Sequence, residues 1–343
     1  MKFKNIKKLI LVGGSRILFD FVSYARKNPF FDITVFSSKR HLDEIIPGES
    51  FTLRAYLKKN KICHYDSEDI NKDKNLKKEA TPDSLGIAFG ASWVFEKKTA
   101  KMFKKNHFLD FMGIDLPKYR GGAHYTWQIL HQNKSGCANL QVIYGGADTF
   151  HKGEIVAREN FVLPQNLQKP IDYFDYISKK EMEFLKKFLA GILGGKDFKL
   201  ENLDESKNSY FPFLNTEING FINWSWSAKD IFLFISAFDD PYSGASTFWK
   251  GKRVFLKECK LFSAEENYHP FTSGVVVRKN KDGVFVAAVG GLLRVSVVLN
   301  ESSKNISKDI NLGDRLFTPS AKLDEAMQFE TIYSASGLKN NRK

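Results

Sequence analysis

Two short segments of this 343-residue sequence carry carboxylate and imidazole side chains that could move protons. The first, "FLDFMGIDLPKYRGG", runs from Phe108 to Gly122 and carries Asp110. The second, "GGADTFHKGE", runs from Gly145 to Glu154 and carries Asp148 and His151. Carboxylates and imidazoles are the common general acids and bases of proteins. Asp110 is flanked by Phe108, Phe111 and Met112, and burial among them would hold its carboxyl neutral, a form able to donate a hydrogen bond. The thioether of Met112 cannot take a proton. His151, and His124 just after the first segment, are candidate bases, although a lone histidine serves equally as a surface or packing residue. His107 precedes the strand and reads as exposed.

Other chemistries have weaker support. Cys63, Cys137 and Cys259 lie far apart without metal-ligand spacing, which argues against a zinc site or a disulfide framework. Gly13-Gly14-Ser15 lacks the third glycine of a dinucleotide fingerprint, and "SSKR" after Phe36 offers no acid for a ribose. A tight strand-to-helix turn accounts for it.

The elements that must position these residues follow from periodicity. "KKLILVGG" reads as a buried strand, Ile17, Phe21 and Tyr24 share one helix face, and a second strand covers Ile33 to Phe36. This βαβ unit opens a doubly wound, Rossmann-like α/β sheet of parallel type. "SLGIAFGASWVF" supplies a further strand, "EKKTAKMFKKN" a basic helix, "AHYTWQILHQN" another helix and "ANLQVIYGG" another strand. A long amphipathic helix, "IDYFDYISKKEMEFLKKFLAGIL", stops at Gly194-Gly195. Polar residues 201–216 read as a linker between an N-terminal domain, 1–200, and a C-terminal domain, 217–320, with 321–343 as a tail. The second domain holds one helix, "SAKDIFLFISAF", and short alternating strands whose natural closure is a small OB-like β-barrel.

Composition is that of a folded protein, with 43% hydrophobic and 27% charged residues. The net charge of +13, from 52 Lys plus Arg against 39 Asp plus Glu, suits a polyanionic ligand. The lysines are scattered, however, so solvated faces explain them as well. No apolar run reaches the ~18 residues of a membrane span, and a cytoplasmic protein without membrane attachment is the simplest expectation.

Several segments, in order, resemble the folate-dependent formyltransferases, the superfamily of methionyl-tRNA formyltransferase and the sugar N-formyltransferases. "LPKYRGGAHYTWQIL" is similar to their Leu-Pro-x-x-Arg-Gly loop and following helix, "GGADT" to their Gly-x-Asp-Thr loop and "GEIV" to a strand start. "INGFINWSWSAKDIFLFISAF", "YSGASTFWKGKRV" and "LGDRLF" are similar to the C-terminal domain of the methionyl-tRNA enzyme. The resemblance implies transfer of a formyl group from 10-formyltetrahydrofolate to an amine. It implies a pterin slot lined by main chain at Phe89, Gly90, Ala91 and Gly146, capped by the loop of Leu116, Pro117, Arg120 and Gly121, with Arg120 either touching ligand or pairing within the loop.

It also implies three catalytic positions: an asparagine, a histidine two residues later, and an aspartate. They fall on Asp110, Met112 and Asp148. A carboxylate beside a developing oxyanion has the wrong sign, and a general base contributes ~10²–10⁴ and an oxyanion donor ~10²–10³ in rate. Two expectations therefore stand. One is an active formyltransferase in which neutral Asp110 and His151 or His124 replace the missing groups. The other is a catalytically silent homologue that binds a ligand or a partner protein. For an enzyme, the basic charge and C-terminal domain favour an aminoacyl-tRNA acceptor. The short, mildly basic "SSKRHLDEIIPGESFTLRAYL" favours a nucleotide-linked amino sugar.

Overall fold

The computed structural model describes residues 1–146, 151–262 and 267–330, with the backbone of 332–334 and 337–339; Asp148 lies outside the described residues. The N-terminal strands are β1 (Lys8–Gly13), β2 (Asp32–Ser37), β3 (Cys63–Asp66), β4 (Ser84–Phe89), β5 (Phe108–Met112), β6 (Arg120–Gly121), β7 (Ser135–Val142), β8 (Ile155–Val162) and β9 (Tyr210–Phe211). Seven of them form one sheet in the order β3-β2-β1-β4-β5-β7-β8. The five strands from β3 to β5 are parallel. β7 and β8 add antiparallel pairings at the β5 side. The sheet is thus parallel-rich α/β, as the βαβ opening implies.

Both faces of this sheet are covered, which explains strands of nearly continuous apolar character. Leu9, Leu11, Leu109 and Phe111 point to the face packed by helices Arg16–Ala25 and Pro170–Leu193. Ile10, Val12, Ala88 and Phe108 point to the opposite face, against Trp93, Phe95 and Phe103. Complete burial of each such side chain stabilises the fold by roughly 1.5–3 kcal/mol. Strand order reverses between β1 and β4, the point at whose carboxyl ends sheets of this kind bind ligands.

Two local expectations need correction. "EKKTAKMFKKN" is helical only over Lys97–Ala100, because Phe103 is its one deeply buried large apolar side chain and so short a segment cannot sustain a helix unaided. His107 is buried rather than exposed, with its ring against Phe3.

The C-terminal strands β10 (Ala245–Trp249), β11 (Lys252–Phe262), β12 (Val276–Asn280), β13 (Gly283–Ala288), β14 (Gly291–Asn300) and β15 (Leu316–Phe317) form an antiparallel sheet. Its order is β12-β13-β14-β11-β10-β15. An antiparallel bridge between Val275 and Arg315 joins the two edges, so the sheet curls on itself. Helix Ala228–Ala237, capped by Ser227, packs on β11 through Ile231 and Ile235. Residues 320–328, expected within a tail from 321, form a helix. No helix among the described residues is long and apolar enough to cross a membrane.

Segment 201–216 is more than a connection. Its strand β9 pairs in parallel with β6 of the Leu-Pro loop. Gly121 stands at this crossing with φ of +113°, and a Cβ there would lie 1.8 Å from the carbonyl oxygen of Phe211. Only glycine fits such a site. Gly121→Ala is expected to cost roughly 2 kcal/mol or more, read by thermal unfolding, and to speed proteolysis within 201–214. Unchanged stability would show that the crossing tolerates separation.

Candidate functional site

β1, β4 and β5 end at a common level, with Gly13 opposite Phe89 and Phe89 opposite Phe111. Beyond this level the chain reverses direction in close contact with itself. The amide of Gly14 donates to the carbonyl of Phe89, and Ala91 lies against Gly13. The amide of Gly146 donates to the carbonyl of Phe95, and Gly145 sits against the backbone of Glu96. Phe89, Gly90, Ala91 and Gly146 thus lie on loops built largely from main chain at one end of the sheet.

Alternation along β5 sends Leu109 and Phe111 into the helix-covered core and turns Asp110 and Met112 to the other face. There, cross-strand neighbours on β7 organise the loops. Opposite Met112, buried Asn139 donates from Nδ2 to the carbonyl of Ile114 at 2.6 Å. Opposite Asp110, buried Gln141 donates from Nε2 to the carbonyl of Gly153 at 2.7 Å. Neither amide stands out in the sequence. The available signal was the alternation of Asn139 and Gln141 in an otherwise apolar strand.

The loop that begins at the cis peptide Leu116-Pro117 is clasped from outside. Arg120 is buried, and its two terminal nitrogens donate to the Glu205 carboxylate at 2.7 Å each. Its Nη2 also donates to the carbonyl oxygen of His151 at 2.6 Å. Tyr119 stacks on Phe211, and Trp127 donates from Nε1 to the carbonyl of Pro212. Leu116 is wholly buried against Ile114 and Ile155, in a small cluster that also receives Met112.

This clasp brings the two sequence segments together. His151 Nε2 lies 3.6 Å from Asp110 Oδ2, with only 10% and 17% of the two side chains exposed. Burial pushes the Asp110 carboxyl up to about 7. Burial, and then the charges of Arg120 and His124, push the His151 imidazole down to about 4. Between these values both groups are neutral, so the contact is not a salt bridge, and 3.6 Å is too long for a hydrogen bond. A carboxylic acid able to donate therefore faces an imidazole able to accept, with a gap between them. Burial also holds His124 neutral, pushing it down to about 4. His124 and Gly113 border a cavity of about 10 Å³, near the lower limit for one water.

The fourth titratable group is Glu181, buried on helix Pro170–Leu193 with its carboxyl pushed up to about 8 by burial. A Cβ on Gly113 would lie 2.1 Å from its Oε1. Sequence reading missed it because "SKKEMEFLKK" looks like a solvated face. Its spacing of four from Ile177 and three from Phe184 was the signal. No cluster of three or more metal-ligating side chains occurs among the described residues, and Cys63, Cys137 and Cys259 are free.

Known proteins offer three kinds of likeness. The family profile "Formyl transferase, C-terminal domain" matches residues 216–311. Methionyl-tRNA formyltransferase of Acetivibrio thermocellus is 27% identical over 197 residues, 57% of this chain and 60% of that protein. The Coxiella burnetii enzyme of the same name is 28% identical over 180 residues, 52% of this chain and 54% of that protein. The chain thus spans less than two thirds of these relatives' length. Among solved structures, an N-formyltransferase from Helicobacter canadensis in complex with folinic acid and dTDP-3-aminofucose superposes with TM-score 0.61 and 19% identity, over 85% of this chain and 99% of that one. HypX from Aquifex aeolicus in complex with tetrahydrofolic acid gives TM-score 0.56 and 14% identity, over 93% and 47%. At these identities the structural likenesses establish the fold.

The site makes a pH prediction. An unfolded Asp110 releases its proton near 3.9, whereas the folded one holds it to about 7. Its contribution to stability is therefore full below about 4 and is lost as pH rises through about 7. Relative to wild type, Asp110→Asn should gain stability progressively between pH 4 and 7 in urea unfolding. A difference that stays constant with pH would mean the carboxyl is ionised in the folded protein.

Proposed function

From a chain that belongs to the folate-dependent formyltransferase family, we propose an active enzyme that moves a formyl group from 10-formyltetrahydrofolate to a primary amine using Asp110 and His151. The observation carrying this reading is the 3.6 Å approach of a neutral acid to a neutral imidazole. The acceptor is the amine of a nucleotide-linked sugar or of an aminoacyl-tRNA.

The residues present fit a folate. The Asp110 carboxyl, only 17% exposed, makes no hydrogen bond among the described residues, as expected where a ligand oxygen completes the site. Gly90, with φ of +53°, and the Gly145-Gly146 turn supply main chain that can approach a flat ring closely. When bound, 10-formyltetrahydrofolate supplies an activated formyl carbon. Neutral Asp110 donates to the formyl oxygen as it gains negative charge, the task an amide performs at this position elsewhere in the family. His151 accepts the amine proton, which Met112 cannot do. The acceptor nitrogen gains the bond to the formyl carbon, the bond from that carbon to the carrier nitrogen breaks, and the amine proton ends on the carrier nitrogen. Arg120 positions His151 through its carbonyl and does not touch the reacting atoms.

Met112 favours a second reading, a homologue that binds folate without turnover. The two part in a single-turnover assay with labelled 10-formyltetrahydrofolate, offering dTDP-3-aminofucose and methionyl-tRNA in turn. An active enzyme forms the labelled amide with one of them. His151→Ala then lowers the rate by about 10²–10⁴, and Asp110→Asn preserves activity above pH 7, where wild type declines. Folate binding without transfer in wild type, persisting after Asp110→Asn with Met112→His, would leave only the second reading.

A further inference from the structure

We propose that Glu181 is the docking group for the acceptor's amine, receiving it as an ammonium at the loop after β5. This assignment rests on the formyl-transfer reading and names the site's recognition element for the second substrate.

Glu181 occupies a position that a helix of this kind normally fills with an apolar residue. Helix Pro170–Leu193 buries Tyr173, Ile177, Glu181, Phe184, Leu185 and Phe188 on its inward stripe. Tyr173 and Ile177 belong to the C-terminal core, whereas Phe184, Leu185 and Phe188 belong to the sheet core. Glu181 stands at the changeover between them. An uncompensated carboxyl within an apolar stripe is costly, so its retention needs a partner.

Among the described residues none supplies one. Glu181 is 7% exposed and makes no salt bridge or hydrogen bond among the described residues. Its Oε1 aims at Gly113, whose missing side chain is what makes room for it. Gly113 is three residues beyond Asp110 and borders the small cavity beside His124. The groups facing Glu181 are phenolic rather than cationic. Its charge is felt by Tyr125, which also neighbours Tyr242. Glu181 thus meets the loop after β5 at Gly113, which lines the same small cavity as His124.

Such a position calls for a cation with hydrogen-bond donors, small enough to reach a carboxyl only 7% exposed. A primary ammonium has both properties, and the tyrosine ring adds a surface suited to a cation. A phosphate or carboxylate would be repelled. The ammonium would then pass its proton on and move from Glu181 toward His151 and the formyl carbon before transfer.

The test uses the full chain with glutamate labelled at the side-chain carboxyl carbon, with Glu181→Gln to identify the Glu181 resonance. Its ionisation is followed by NMR in methylammonium, tetramethylammonium or sodium chloride at matched ionic strength. Methylammonium alone is expected to shift the ionisation constant tenfold or more toward the carboxylate, since only it donates hydrogen bonds to the charged form. Equal midpoints in all three salts would overturn the assignment. Calorimetric titration with folinic acid, run on the same samples, reads the folate proposal by itself: its absence sinks that proposal while the salt comparison still decides Glu181.

Discussion

The guanidinium of Arg120 holds three separately encoded segments at one end of the sheet. It grips Glu205 with two bonds and the carbonyl of His151 with another, from within a loop that crosses the strand at Tyr210 and Phe211. A planar fork with several fixed donors suits this task in a way a lysine would not. Without the clasp, the loop over the strand ends, the segment 201–216 and the His151 turn would each be free to choose a separate course. With it, an imidazole from one loop meets a carboxyl at the end of β5.

The chemical consequence is a change in how the site holds its protons. An asparagine and histidine would present a donor and an acceptor directly. Asp110 and His151 reach the same pairing through desolvation, which raises one and depresses the other until both are neutral over a shared range. Met112 lines the small apolar cluster with Ile114, Leu116 and Ile155, a packing role consistent with a thioether.

The sheet was legible because β1 and β4 carry the nearly continuous apolar runs that a doubly covered sheet requires. The long helix was legible from its stripe and its glycine stop. Within the site, Asp110 was singled out by the family resemblance from its distance to Leu116-Pro117, and His151 from its place beside Asp148. Geometry decided the rest. The two positions that serve the clasp, Glu205 and Arg120, are 85 residues apart, and nothing in either segment marks the pairing. Asn139 and Gln141 are ordinary amides until strand register sets them opposite Met112 and Asp110. Glu181 was hidden by lysines on both sides, although helical phase turns those outward and the acid inward. The lysine-rich segment after Glu96 failed the opposite way, since charge suggested a helix that too little burial supports. Asp148 is outside the described residues.

The central claim is that neutral Asp110 serves the formyl oxygen while His151 serves the amine. A crystal structure of the protein with folinic acid tests it most directly. The account predicts the pterin against residues 89–91 and 145–146, with the formyl oxygen within hydrogen-bond distance of the Asp110 carboxyl and the His151 ring on the open side. A folate bound elsewhere, or a formyl group turned away from Asp110, would contradict it.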